Sequence, residues 1–272
     1  MSTMPSFPLA RLAAIVVASA IAAACAAAGA EQAAAPAGPP TPVVVELFTS
    51  EGCSSCPPAD ELLEKLTAAS PVAGAEIVAL GEHVDYWDQQ GWKDRFSSAA
   101  LTDRQRGYAA AFHDDDIYTP QMVVDGRAAF VGSDGSAARR AIGKAIRDEH
   151  GSLAIAVTSV GDGRAMVSLT AGPLPASANG ATADLLLALT EDHLQSDVRR
   201  GENRGRTLHH AAVVRSLATV GQVPAAGATL ESGVVLAPDW NRAALKAVAF
   251  VQERGSRRVL AAAVVPLETA AR

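Results

Sequence analysis

The chain is poor in cysteine, with three in 272 residues, and poor in aromatic side chains, at 4%. It also has no excess of basic charge: 23 basic face 29 acidic side chains, a net charge of −6. Phosphate binding needs a basic face, so nucleic acid is excluded as a partner. Beyond the first thirty residues no stretch approaches the ~20 uninterrupted apolar residues of a spanning helix, so no membrane-spanning segment is expected in the mature chain. No phosphate loop, dinucleotide fingerprint or nucleophile elbow is found, which leaves kinase and hydrolase readings without residues. What is abundant is alanine, within a hydrophobic fraction of 49%, as in a globular protein packed with small residues.

The first thirty residues set the expected compartment. Arg11 precedes an apolar run from Leu12 to Ala24, and Ala28-Gly29-Ala30 has the small-x-small pattern of a signal-peptidase site. Export to the periplasm, or secretion, follows. Cys25 is read as a residue discarded with the leader and not as a lipid-attachment site, because Ala22-Ala23-Ala24-Cys25 lacks the larger aliphatic residue of lipoprotein signals. Once the leader is cut, any intramolecular disulfide must join Cys53 to Cys56, in a compartment where thiols oxidise.

The length suits two domains. Residues 31–41, rich in Ala, Pro and Gly, read as a flexible leader. In 42–150, Val43 to Phe48 reads as a strand. Ala59, Leu62, Leu63 and Leu66 after Pro57-Pro58 make one face of a helix. Ile77 to Leu80 is a second strand, and Glu82 to Trp92 a long loop. Thr102 and Gln105 form a capping box for a helix ending near Phe112. Asp125-Gly126 is the turn of a hairpin, and Ser136 caps a last helix. From Ser152 the pattern alternates with period two over about seven short strands, which predicts a separate all-β, sandwich-like domain over 151–272.

The residues with chemistry are Cys53 and Cys56, set as C-x-x-C between a strand and a helix. The first sulfur is expected near unsatisfied N–H groups at the positive helix end, which favours thiolate. Cys53 would then be the nucleophile and Cys56 the resolving thiol. As a mere staple the bond is weak: so short a loop contributes roughly 2 kcal/mol, against ~3 for a 15-residue loop.

The order strand, C-x-x-C, helix, strand, helix, Thr119-Pro120, hairpin, helix resembles the thioredoxin superfamily over 42–150. More narrowly, LFTSEGCSSCPPAD, HVDYWDQQGW, YTPQMVVDG and GENRGRTLHHAAVVR are similar to a family of secreted thioredoxin-like proteins known mainly as a domain of unknown function. The resemblance implies an α/β thioredoxin-like domain ahead of the all-β one, a cis Pro120, and an approach of Thr119 to Cys53. The resemblance gives no substrate; the cysteine chemistry itself leads to the expectation of thiol-disulfide exchange with a thiol-bearing protein or small molecule and an unidentified redox partner, with no cofactor beyond the disulfide. Gly52 in place of a tryptophan, the Ser54-Ser55 dipeptide and Pro57 depart from thioredoxin and blur the redox direction.

Two alternatives stay open. In one, His83 joins Cys53 and Cys56 to bind or deliver copper, a soft-ligand set; in the other, the protein is a non-catalytic interaction module. Tyr86 and Trp87, with Trp92, are candidates for a wall facing substrate beside the pair, together with Thr119 and Pro120. Asp114-Asp115-Asp116 reads as a solvated charge run, and His209-His210 as structural.

Overall fold

The computed structural model describes residues 38–161, 163–178 and 183–267. The expected leader at 1–30, Cys25 and most of the 31–41 segment lie outside the described residues. The first half builds one layered unit. β1 (Thr41–Thr49) and β2 (Ala75–His83) run parallel, in register from Thr41↔Ala75 to Thr49↔His83, with α1 (Pro57–Ala68) crossing between them. β1 is buried on both faces, as a strand covered on two sides must be. Val43, Val45 and Leu47 pack with Leu63 and Leu66 of α1. Val44 and Phe48 face the opposite layer, which holds Leu101 and Tyr108 of α2 (Ala99–Phe112).

α2 opens earlier than its predicted capping box. Ser98 is the N-cap and accepts from Ala100 N, while Thr102 and Gln105 reach Asp85 and the Tyr118 carbonyl. β3 (Gln121–Val124) pairs antiparallel with β1 and forms a hairpin with β4 (Ala128–Val131). Its turn, Asp125-Gly126, has φ of 49° and 59°, the conformation this dipeptide favours. α3 (Gly135–Ala145) is capped by Asp134, which accepts from Ser136 N and Ala137 N, and not by Ser136.

The second half is all strand, but it is not the separate domain the sequence predicts. Its elements are β5 (Leu153–Gly161), β6 (Arg164–Ala171), β7 (Ala183–Glu191), β8 (Leu194–Asp197), β9 (Thr207–His210), β10 (Val213–Val223), β11 (Ala228–Val235), β12 (Leu245–Glu253) and β13 (Val259–Pro266). Four of them extend the first sheet to eight strands, in the order β13-β12-β7-β10-β2-β1-β3-β4. Strands take 43% of the structure and helices 19%. The architecture is therefore a mostly-β protein on one large mixed sheet. It corrects the expectation of a thioredoxin-like α/β domain followed by an independent sandwich.

The junction explains the difference. β10 meets β2 at one parallel rung, Val213↔Gly81, where Gly81 N donates to Ala212 O at 2.7 Å. A Cβ at Gly81 would stand 2.9 Å from Ala211 O, so glycine is what lets the strands approach. The core then runs across the joint: Val44, Val78 and Leu80 share a cluster with Leu186, Val248 and Phe250. On the other face, Leu185, Leu187 and Leu189 pack against the three-stranded sheet β11-β6-β5. β8 and β9 form a two-stranded ribbon of their own. Among the described residues no helix is long and apolar enough to cross a membrane.

Candidate functional site

β1 ends at Thr49, and the chain turns through Ser50 to Gly52 before entering α1. Cys53 N donates to Ser50 O at 3.1 Å and Cys56 N to Cys53 O at 3.2 Å, which winds the tight loop that brings the two sulfurs together. Cys53 and Cys56 are joined in a disulfide with Cα atoms 5.4 Å apart. Both residues are 0% exposed, whereas Ser54 and Ser55 face solvent.

The helix start differs from the expectation of free N–H groups near the sulfur. Pro57 and Pro58 occupy its first two positions and have none. Ala59 N and Asp60 N both donate to Cys56 O, at 2.8 and 3.1 Å. What α1 offers a thiolate is its dipole alone.

Beneath the disulfide lies a buried charge cluster drawn from both halves of the chain. Glu51, His83 and Asp94 are buried, as are His210 of β9 and Asp60 of α1. His83 Nδ1 and Asp94 Oδ2 are 2.6 Å apart, and the same oxygen accepts from Glu51 N at 2.9 Å. Glu51 Oε2 accepts from Trp92 Nε1 at 2.7 Å. His210 Nε2 lies 3.3 Å from Glu51 Oε1, yet neither ring nitrogen has an aligned hydrogen-bond partner. The His83 and His210 rings meet edge to face at 4.8 Å, with Phe96 against both.

These surroundings split the three carboxyls. Burial pushes the Asp94 carboxyl up, but the His83 contact and the Glu51 and Phe96 amides outweigh it and hold Asp94 below its ordinary value. For Glu51 burial again works upward, and the His210, Ser196 and Trp92 contacts overcome it. Asp60 is raised to about 7, chiefly by burial and further by Asp94 and Glu51, against the lowering pull of His210 and Thr49.

The predicted wall is gathered in part. Trp87 Nε1 donates to Thr119 Oγ1 at 2.7 Å, and a Cβ on Gly52 would lie 3.1 Å from Trp87 Cβ, so Trp87 stands between the C-x-x-C loop and Thr119. Tyr86 donates to Gln105 Oε1 at 3.2 Å, and burial pushes its hydroxyl up to about 12. The Thr119–Pro120 bond is cis. A Cβ on Gly132 would touch both Pro120 Cβ and Ala59 Cβ, which places Pro120 against the first turn of α1. His83, the candidate copper ligand, is engaged by Asp94. Among the described residues no group of three or more His, Cys, Asp or Glu is arranged to hold a metal ion. Asp114 to Asp116 are exposed, as is His209, while its neighbour His210 is buried.

Sequence reasoning assigned no role to the loop between β8 and β9. Asn203 there is 1% exposed, and its Nδ2 donates to Glu51 O and to Cys53 O, both at 2.9 Å. Glu202 Oε2 accepts from Ser54 N at 3.1 Å. The available signal was the GENRGRTL stretch itself, a polar segment with glycines at 201 and 205, both at positive φ.

Residues 44–252 match the family described as a protein of unknown function, DUF1223. The chain belongs to this family. The crystal structure of protein AGR_C_4864 from Agrobacterium tumefaciens is 26% identical, with a TM-score of 0.67, over 87% of this chain and 99% of that one. HBP35 of Porphyromonas gingivalis is similar in fold, with a TM-score of 0.60 at 14% identity over 85% of this chain and 76% of that one. No curated protein matches the chain.

Proposed function

We propose that this DUF1223 protein is an exported thiol-disulfide oxidoreductase acting through Cys53 and Cys56. The observation that carries the reading is where the disulfide sits. It closes a four-residue loop at a strand-to-helix junction, too short to be an effective staple, with the buried carboxyls of Glu51 just before the loop and Asp60 in the first turn of the helix after it. Kinship with the thioredoxin superfamily belongs to this proposal. Its support is the order of strand, C-x-x-C, helix, strand, helix, hairpin and helix within the larger sheet. Export is supported by the leader pattern, Arg11 ahead of the apolar run Leu12 to Ala24 and the small-x-small Ala28-Gly29-Ala30.

The exchange runs as follows. A partner thiolate attacks Cys53 Sγ, the Cys53–Cys56 bond breaks, and its electron pair goes to Cys56 Sγ, which takes a proton. A second partner thiolate then displaces Cys53 from the mixed disulfide. The partner leaves oxidised by two electrons and the pair is left as the dithiol; the reverse sequence reduces a partner disulfide. With no N–H free in the first turn of α1 and three carboxyls nearby, the reduced form is little stabilised. The reduction potential is therefore expected near the reducing end of the superfamily range, about −270 mV and not −120 mV.

Complete burial of both cysteines favours a second reading, a static disulfide within an interaction module. One experiment separates the two. In the exchange reading, Cys56→Ser accumulates mixed disulfides with a disulfide-bearing partner, because Cys53 Sγ attacks the partner disulfide, the partner's other sulfur leaves as thiolate and no Cys56 thiol resolves the adduct, whereas Cys53→Ser does not. If neither variant forms an adduct and the wild-type bond resists a strong dithiol under native conditions, the static reading stands.

A further inference from the structure

The loop that joins β8 to β9 lies against the disulfide loop. Both cysteines are 0% exposed, and Glu202 and Asn203 of that loop hold Ser54 N and the Cys53 carbonyl. The loop is tied lightly, since β8 and β9 pair only with each other, over four rungs from Leu194↔His210 to Asp197↔Thr207. Its charge is opposite to that of the protein as a whole. Arg199, Arg200, Arg204 and Arg206 are all exposed, against Glu202 alone, in a chain of net charge −6. Arg206 Nη1 donates to Asn203 Oδ1 at 3.1 Å. Arg199, Arg200 and Arg204 make no ion pair or side-chain hydrogen bond among the described residues.

Three uncompensated guanidinium groups thus sit within a few residues of the side chains that touch the disulfide loop. The buried carboxyls of Glu51, Asp60 and Asp94 lie below. An incoming thiolate meets negative charge at the bottom of its path and positive charge at the top. Charge of one sign at the mouth of a reactive site raises the local concentration and on-rate of the opposite sign.

We infer that the β8–β9 loop is the docking surface for the thiol partner, an acidic peptide segment whose cysteine is flanked by carboxylates. The inference rests on the exchange reading and adds a substrate class to it. Guanidinium pairs with carboxylate through two parallel hydrogen bonds, so three unpaired arginines favour this chemistry over a phenolic or amide-bearing partner.

The test uses the full chain in its oxidised form. The rate of reduction of Cys53–Cys56 is measured with glutathione, β-mercaptoethanol and cysteamine, each corrected for its thiolate fraction. Two further arms are short cysteine peptides flanked by Glu or by Lys. The expected result is an advantage of about tenfold for anionic over neutral thiols at low salt, and the reverse order for cationic ones. The advantage should collapse toward unity in 1 M salt, where the screening length is about 3 Å. It should also collapse in the triple variant Arg199→Ser, Arg200→Ser, Arg204→Ser. A Glu-flanked peptide faster than both glutathione and the Lys-flanked peptide supports the peptide as occupant, and glutathione faster than the Glu-flanked peptide overturns it. Equal corrected rates for all charges overturn the inference while leaving exchange intact. No reduction by any thiol overturns both, and the two failures are distinct.

Discussion

The paired strands β1 and β2 carry two buried charge clusters only a few residues apart, and the clusters differ in kind. In one, Glu46 of β1 and Glu82, the penultimate residue of β2, flank Arg104 of α2, whose Nε lies 2.5 Å from Glu46 Oε1 and 3.2 Å from Glu82 Oε1. Tyr108 donates to Glu46, and Gln252 of β12 bonds both Arg104 and Tyr108. Nearly every polar atom there has a partner, and only Glu82 Oε2 does not. At the strand ends, the cluster under the disulfide leaves Glu51 Oε1, Thr49 Oγ1 and both nitrogens of His210 without one. A closed network fixes a fold, while an open one leaves room for protons to move. The same two strands thus carry a clamp against α2 and a reservoir at their ends.

The comparison breaks first at Arg104. Arg104→Met removes the one cation from between two buried carboxylates and is expected to destabilise the fold by about 3–5 kcal/mol. Denaturant melts of the variant check this; an unchanged midpoint would mean that the Arg104 cluster is not a clamp.

The reservoir is sharpened at Asp60. Its folded value is raised above the unfolded one, from 3.8 to about 7, so the native state holds the proton more tightly. Stability from this group is full below about pH 4 and declines as pH rises to 7. The loss reaches at most roughly 4 kcal/mol above that. Asp60→Asn, with no proton to lose, should be flatter between pH 4 and 8 and more stable than wild type at pH 8. Parallel melting profiles for the two proteins would show that Asp60 does not titrate in this window.

The smallest effect is expected at the wall. Trp87→Phe removes the hydrogen bond to Thr119 and should cost about 1 kcal/mol in stability. It should also change the exchange rate with bulky partners more than with small thiols. Equal changes for both would take Trp87 out of the partner-facing surface.

Much of the local structure was legible in the sequence. The Asp125-Gly126 turn, the β1 strand, the C-x-x-C at a helix start and the alternating strands from 153 onward all follow from short-range patterns. The joint was not. Val213↔Gly81 pairs residues more than 130 positions apart, and no periodicity marks it; its one local sign is a glycine within a strand. His210 was read as structural because its partners, Glu51 and His83, come from distant positions. Asp60 did carry a signal: it is four residues after Cys56, on the same helix face, where a carboxyl among Ala59, Leu63 and Leu66 is out of place without a task. Asn203 could be seen only once the β8–β9 ribbon had brought it across to the Cys53 carbonyl.

The single rung at Gly81 also bears on what can be cut from this protein. Val44, Val78, Leu80 and Leu101 owe their cover to Leu186, Val214, Val248 and Phe250 from the other side of it. A fragment ending near residue 150 would keep its helices and its disulfide loop but present that apolar face to water, beside a β2 edge with no neighbour. Such a surface invites edge-to-edge association, so the C-terminal strands act as the solubility jacket of the cysteine-bearing half.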